Sequence, residues 1–80
     1  MTCLIEFTYG ADSREDVFRH LQDEGLADGI KIKGAWVAAQ TGVGYVIAEV
    51  EKGVDLYNAC SRWSDFGELT VIPLVEVSEL

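Results

Sequence analysis

The chain is poor in the residues that staple, ligate or kink small proteins: it has two cysteines, one histidine and one proline in 80 residues. Cys3 and Cys60 form no C-x-x-C and have no second pair, so neither a disulfide framework nor a zinc site is signalled. Their spacing leaves free thiols or one bond open, and so low a cysteine content favours free thiols in a reducing cytoplasm. His20 is the only imidazole and has no tight Asp/Glu/Cys cluster beside it, which rules out a histidine-rich metal site. Gly42-Val43-Gly44 lacks the Lys-Ser/Thr pair and the following helix of a phosphate loop, so it reads as hairpin chemistry. No metal or cofactor is expected.

Positive charge is equally scarce. Six basic side chains stand against fourteen acidic ones, giving a formal charge of −8. Arg14, Arg19, Lys31, Lys33, Lys52 and Arg62 are dispersed, so no electrostatic footprint for DNA or RNA exists, and the surface repels anionic lipid. No run approaches the roughly 18 apolar residues of a membrane span. The segment from Met1 to Gly10 carries Glu6 and lacks the basic start of a signal peptide, so it reads as a strand of a mature cytoplasmic protein.

What is present is a 49% apolar chain organised as one domain over residues 1–80. Thr2 to Tyr9 alternates, with Cys3, Ile5, Phe7 and Tyr9 on one face, which predicts a strand. Asp12 and Glu15 have capping-box-like spacing, with Ser13 as the alternative cap. A helix then carries Val17, Phe18 and Leu21 on one side and ends at Gly25. Ile30 to Ala39 is strand-like, setting Ile30, Ile32, Gly34, Trp36 and Ala38 against Lys31, Lys33, Ala35, Val37 and Ala39. Gly34 in mid-strand marks a bulge or a close backbone approach. A glycine-rich connection from Thr41 to Gly44 leads to a returning strand, Tyr45 to Val50. Asp55 is placed to cap a second helix containing Leu56, Ala59, Cys60 and Trp63. Glu68 to Val77, with Pro73 inside it, is the last strand.

The order β-α-β-β-α-β predicts an α+β, ferredoxin-like fold: a four-stranded antiparallel sheet with two helices on one face. The other face carries Leu4, Val37, Tyr45, Ile47, Ile72 and Leu74 among Glu6, Lys33, Glu49 and Thr70. It is too apolar for simple exposure and too mixed for a core, so a self-complementary homodimer interface is expected there. Lys33 is placed to pair with Glu6 and Glu49 across that interface, or the three line a polar pocket.

From Gly34 onward the chain resembles a bacterial family of small proteins known only as domain-of-unknown-function family 3303. The matching positions are Gly34 and Trp36, Gly44, Val50-Glu51, Leu56-Tyr57, Trp63-Ser64-Asp65 and, about eight residues later, Pro73. The first strand and Arg14-Glu15 fit more loosely. Leu69 and Val37 depart from the aromatic and polar residues often found at those positions. The resemblance implies a dimeric α+β barrel, two sheets packed face to face, and no reaction.

Trp36, Tyr57, Trp63 and Asp65 are the candidate lining of a pocket for a small apolar ligand, with filling of the core as the plainer role for the aromatics. Asp65 equally suits a turn into the last strand. His20 as a general base and Cys3 as a nucleophile have no partner groups in the sequence, and Cys60 has only Arg62 nearby. Two functions follow. The first is a homodimeric binding or interaction module without catalysis. The second is a cofactor-independent enzyme of the dimeric-barrel, monooxygenase-like type, which would need an open aromatic pocket.

Overall fold

Alternation in the first segment sets the frame: β1 (Thr2–Tyr9) buries Cys3, Ile5 and Phe7 and pairs antiparallel with a strand on each side. The computed structural model describes residues 1–40 and 42–80; Thr41, in the expected glycine-rich connection, lies outside the described residues. After β1 come a short 3-10 turn (Ala11–Ser13), α1 (Arg14–Glu24), β2 (Ile30–Val37), β3 (Val43–Val50), α2 (Gly53–Trp63) and β4 (Gly67–Leu74). The sheet order is β2-β3-β1-β4, with every described pairing antiparallel. This is the expected α+β, ferredoxin-like arrangement.

Ser13 stands at the N-cap of α1 without a side-chain hydrogen bond, and Asp12 is taken up in the preceding turn, so the capping box does not form. Gly25 closes the helix at φ 67°, a backbone open to glycine, and its N–H donates to the Leu21 carbonyl at 3.0 Å. Lys52, not Asp55, is the N-cap of α2; Asp55 lies in the first turn, where its carboxylate favours the helix dipole. The last strand stops at Leu74, short of the expected Val77. Leu74 pairs with Thr2, the first residue of β1, and Val77–Glu79 turns into a 3-10 helix. Pro73 is tolerated because β4 is an edge strand.

The second strand differs most from its expected form. Its register shifts between Ile32 and Gly34, making Lys33 an extra residue opposite β3. Ile32 pairs with Ala48 on the helix side, but Gly34 pairs with Ile47, Ala35 with Val46 and Trp36 with Tyr45. Directly paired residues share a face. The bulge therefore turns Trp36 to the open side and Ala35 and Val37 to the helix side, the reverse of strict alternation.

The core lies between the sheet and the helices. Ile5, Phe7, Val17, Leu26, Val46, Val50 and Trp63 form it, with Cys3 and Ala48 fully enclosed. Cys3 and Cys60 are both free thiols. Aromatic rings link across the core in steps from Phe18 to Tyr9, Phe7 and Trp63, at centroid separations of 6.0, 5.8 and 5.2 Å.

At Gly67, the first residue of β4, a Cβ would fall on the main-chain carbonyl oxygen of Thr8. Gly67→Ala should lower stability by about 1–3 kcal/mol, seen as a lower urea midpoint at unchanged slope. Gly53→Ala, with nothing within 4 Å of the added atom, should be neutral or stabilising.

Candidate functional site

Two surfaces of the sheet merit a functional reading, and the bulge at Lys33 shapes both.

The first is the open face. Leu4 pairs with Ile47 and Ile72, Glu6 with Tyr45 and Thr70, and Thr2 with Glu49 and Leu74. Trp36 joins them beside Tyr45. Its six-membered ring lies over Gly34, so close that a Cβ at Gly34 would fall within 3.2 Å of three ring atoms. A missing side chain thus provides the seat for an indole that remains 60% exposed. Of the expected interface residues, Leu4, Glu6, Tyr45, Ile47, Ile72 and Leu74 share this side. Val37 does not, because the bulge rotates it to the helix side.

Lys33 reaches Glu49 of its own chain, Nζ to Oε1 at 3.5 Å, rather than waiting for a partner. Glu49 also accepts a hydrogen bond from the Thr2 hydroxyl, and its Oε2 lies 3.4 Å from the amino group of Met1. The Thr2 hydrogen bond is the main reason its carboxyl is held below the ordinary value of 4.5; the amino group and Lys33 add to that.

The second surface is a cleft between α1 and the sheet. Val17, Phe18 and Leu21 form its helix wall, and Leu26 follows them. Ile5, Phe7, Tyr9 and Val46 make the floor, Ala35 and Val37 line the β2 side, and Trp63 and Leu69 complete the lining. The space is about 170 Å³. It exists because the closest helix-to-sheet packing is α2 over β4 and β3, which leaves the helix-side face of β2 without a close cover. Val37 is consequently 48% exposed although it faces the helix layer. The lining carries no carboxylate, ammonium, imidazole or thiol; its ionisable groups are the phenols of Tyr9 and of Tyr45, which borders it.

The four expected pocket residues are not brought together. Trp63 is 2% exposed and lines the cleft, and its Nε1 has no acceptor among the described residues. Trp36 borders the cleft, but its ring rests over Gly34 on the open side. Tyr57 points away from the stripe of α2 and is 70% exposed, since it directly follows Leu56 and so lies about 100° round the helix. Asp65 is exposed in the turn after α2, outside the cleft. The residues that do line the space, Phe7, Tyr9, Val17, Phe18 and Leu21, read from sequence only as core. Nothing in their pattern separates a filled core from a cleft.

His20 is packed edge-on against Trp63 at 4.6 Å and beside Phe66 at 5.1 Å. Its Nε2 lies 3.5 Å from Glu24, too poorly directed to count as a hydrogen bond. Asp16, Arg19, Asp23 and Glu24 surround it at a shallow surface depression. No group of three side chains suited to a metal ion occurs among the described residues. No described helix is long and apolar enough to cross a membrane.

The chain matches the model of a domain-of-unknown-function family, DUF3303, over residues 1–80, and it belongs to that family. No curated protein and no solved structure is detectably similar to it.

The Glu49 network sets an acid sensitivity. Because its folded value is lowered, Glu49 contributes stability above its ordinary value, and that contribution disappears as the pH falls through the folded value. Thermal melts from about pH 7 down to about pH 3 should show Glu49→Gln less stable than the parent at neutral pH and less sensitive to acid. Parallel curves for the two proteins would mean the network contributes nothing.

Proposed function

We propose that the protein is a homodimeric binding module with no reaction of its own, two copies joining through the open faces of their sheets into an α+β barrel. The observation that carries this reading is the set of apolar side chains on the side no helix covers: Leu4, Trp36, Tyr45, Ile47, Ile72 and Leu74. A soluble monomer rarely presents such a patch. Four strands of eight residues cover roughly 19 Å by 26 Å, about 500 Å² in projection and more once side-chain relief is counted. That is in the range of one side of a standard interface, about 800 Å².

Charge supports the same reading. The molecule carries −8, and two copies repel each other wherever that charge is concentrated. On the open face, Lys31 and Lys33 offset Glu6 and Glu49, with Glu68 left at the start of β4. Most of the acidity therefore lies elsewhere. A two-fold contact of this face with itself would bring together nearly neutral, apolar surfaces.

The alternative, a cofactor-independent enzyme acting in the cleft, has less to support it. Proton abstraction or nucleophilic attack needs a positioned base or nucleophile, and the lining offers only phenols.

Sedimentation equilibrium tests the dimer. The parent should be dimeric at about 10 µM, and Ile47→Lys, which sets an unpaired ammonium in the contact, should be monomeric with unchanged far-UV circular dichroism. A parent that remains an 8.8 kDa monomer up to about 100 µM would end the reading.

A further inference from the structure

We propose that the cleft between α1 and the sheet is a binding site for a small, uncharged, single-ring aromatic molecule. Three observations carry the proposal, and none depends on dimerisation.

The first is size. The space is about 170 Å³. A dry apolar protein cavity of about 150 Å³ takes up benzene. One six-membered ring with one or two substituent atoms therefore fits, and two fused rings with substituents do not. Because the cleft is open on one side, a ring that enters it takes apolar lining out of water.

The second is chemistry. Phe7, Phe18 and Trp63 offer ring faces and edges, while Val17, Leu21 and Val37 supply the aliphatic remainder. With no charged side chain in the lining, a carboxylate or an ammonium would lose its hydration without a counter-charge. A neutral ring loses nothing comparable, and it gains edge-to-face contact with aromatic neighbours.

The third is access. The cleft opens on the β2 side, where Ala35 is exposed and Val37 is half-exposed. These two residues face the cleft only because Lys33 is an extra residue in its strand. The small Ala35 leaves room for entry, and no described helix packs closely over it.

The competing occupant is the chain's own C-terminal segment. Val75, Val77 and Leu80 are all exposed, and the tail of a second copy could reach for the same cleft. The experiment distinguishes the two.

Toluene, benzoate and benzylamine would be titrated into the ¹⁵N-labelled full chain, following amide shifts. Toluene should bind saturably, one per protomer, with a dissociation constant of about 0.1–1 mM, moving Val17, Leu21, Ala35, Val37 and Trp63. The two charged rings should bind at least about tenfold more weakly. Ala35→Leu should fill the entry and weaken toluene at least about tenfold without lowering the melting temperature. Val37→Phe is the second filler, should Ala35→Leu disturb the strand. The proposal is overturned if toluene does not saturate, if the three probes bind alike, or if both fillers leave toluene binding unchanged. It is also overturned if toluene binds only after Val77→Asp and Leu80→Asp, because the cleft would then belong to the tail. A monomeric parent that binds toluene would end the dimer reading and leave this one standing.

Discussion

One extra residue, Lys33, is the constraint on which the rest of the surface depends. In a pleated strand a single insertion reverses the side of every residue that follows it. Without the bulge, Trp36 would point toward α1 and the cleft would be filled by an indole. With it, Trp36 lies on the open face, seated over Gly34 and beside Tyr45, while Ala35 and Val37 border a space too wide for them to fill. The bulge therefore adds Trp36 to the open face and opens the apolar cleft. The bulge also frees Lys33 from the pairing register, and its Nζ then reaches Glu49.

The core that supports these surfaces is small and mostly aliphatic, with Phe7 and Trp63 as its largest members. Trp63 closes α2 against Phe7, with Phe66 and His20 packed on its other sides. Large rings bury much area per residue, which matters where few residues are available. The rings meet in two edge-to-face contacts and one stacked one, and α2, not α1, makes the close helix contacts with the sheet. The cleft is the space left where the ring ladder and the uncovered edge strand meet.

Most of the fold was legible in the sequence, and the exceptions have physical causes. Alternation of Cys3, Ile5, Phe7 and Tyr9 gave β1 because that strand lies at the centre with partners on both sides, so its two faces have distinct environments along its whole length. The element order gave the topology because connections of this length leave few alternatives. The bulge was signalled only by Gly34, and a mid-strand glycine does not tell which neighbour is the inserted residue. Strict alternation therefore puts Trp36 and Val37 on the wrong sides of the sheet. Val75 and Val77 continue the alternation of β4, but alternation marks a face and not an end, and the β1–β4 pairing stops at Thr2 and Leu74. Tyr57 joins the candidate pocket by residue type, but it directly follows Leu56 in α2, and helix geometry turns it outward. The cleft was illegible for a different reason. A residue that lines a void and one that fills a core obey the same apolar pattern, and only the relative placement of α1 and β2 separates them.

That placement makes β2 the strand with most to gain from a partner. It pairs on one edge only, no helix covers it closely, and it carries exposed apolar groups on both sides: Trp36 outward, Ala35 and Val37 inward. Strands with few buried contacts open at low free energy, so β2 is held to its bulged geometry chiefly by its pairing with β3. Covering either side would add contacts to the same short segment. The central strands need no such help, since Ile5, Ala48 and Val50 are already enclosed. The central strands thus carry the core, and β2 contributes Trp36 to one surface and Ala35 and Val37 to the other.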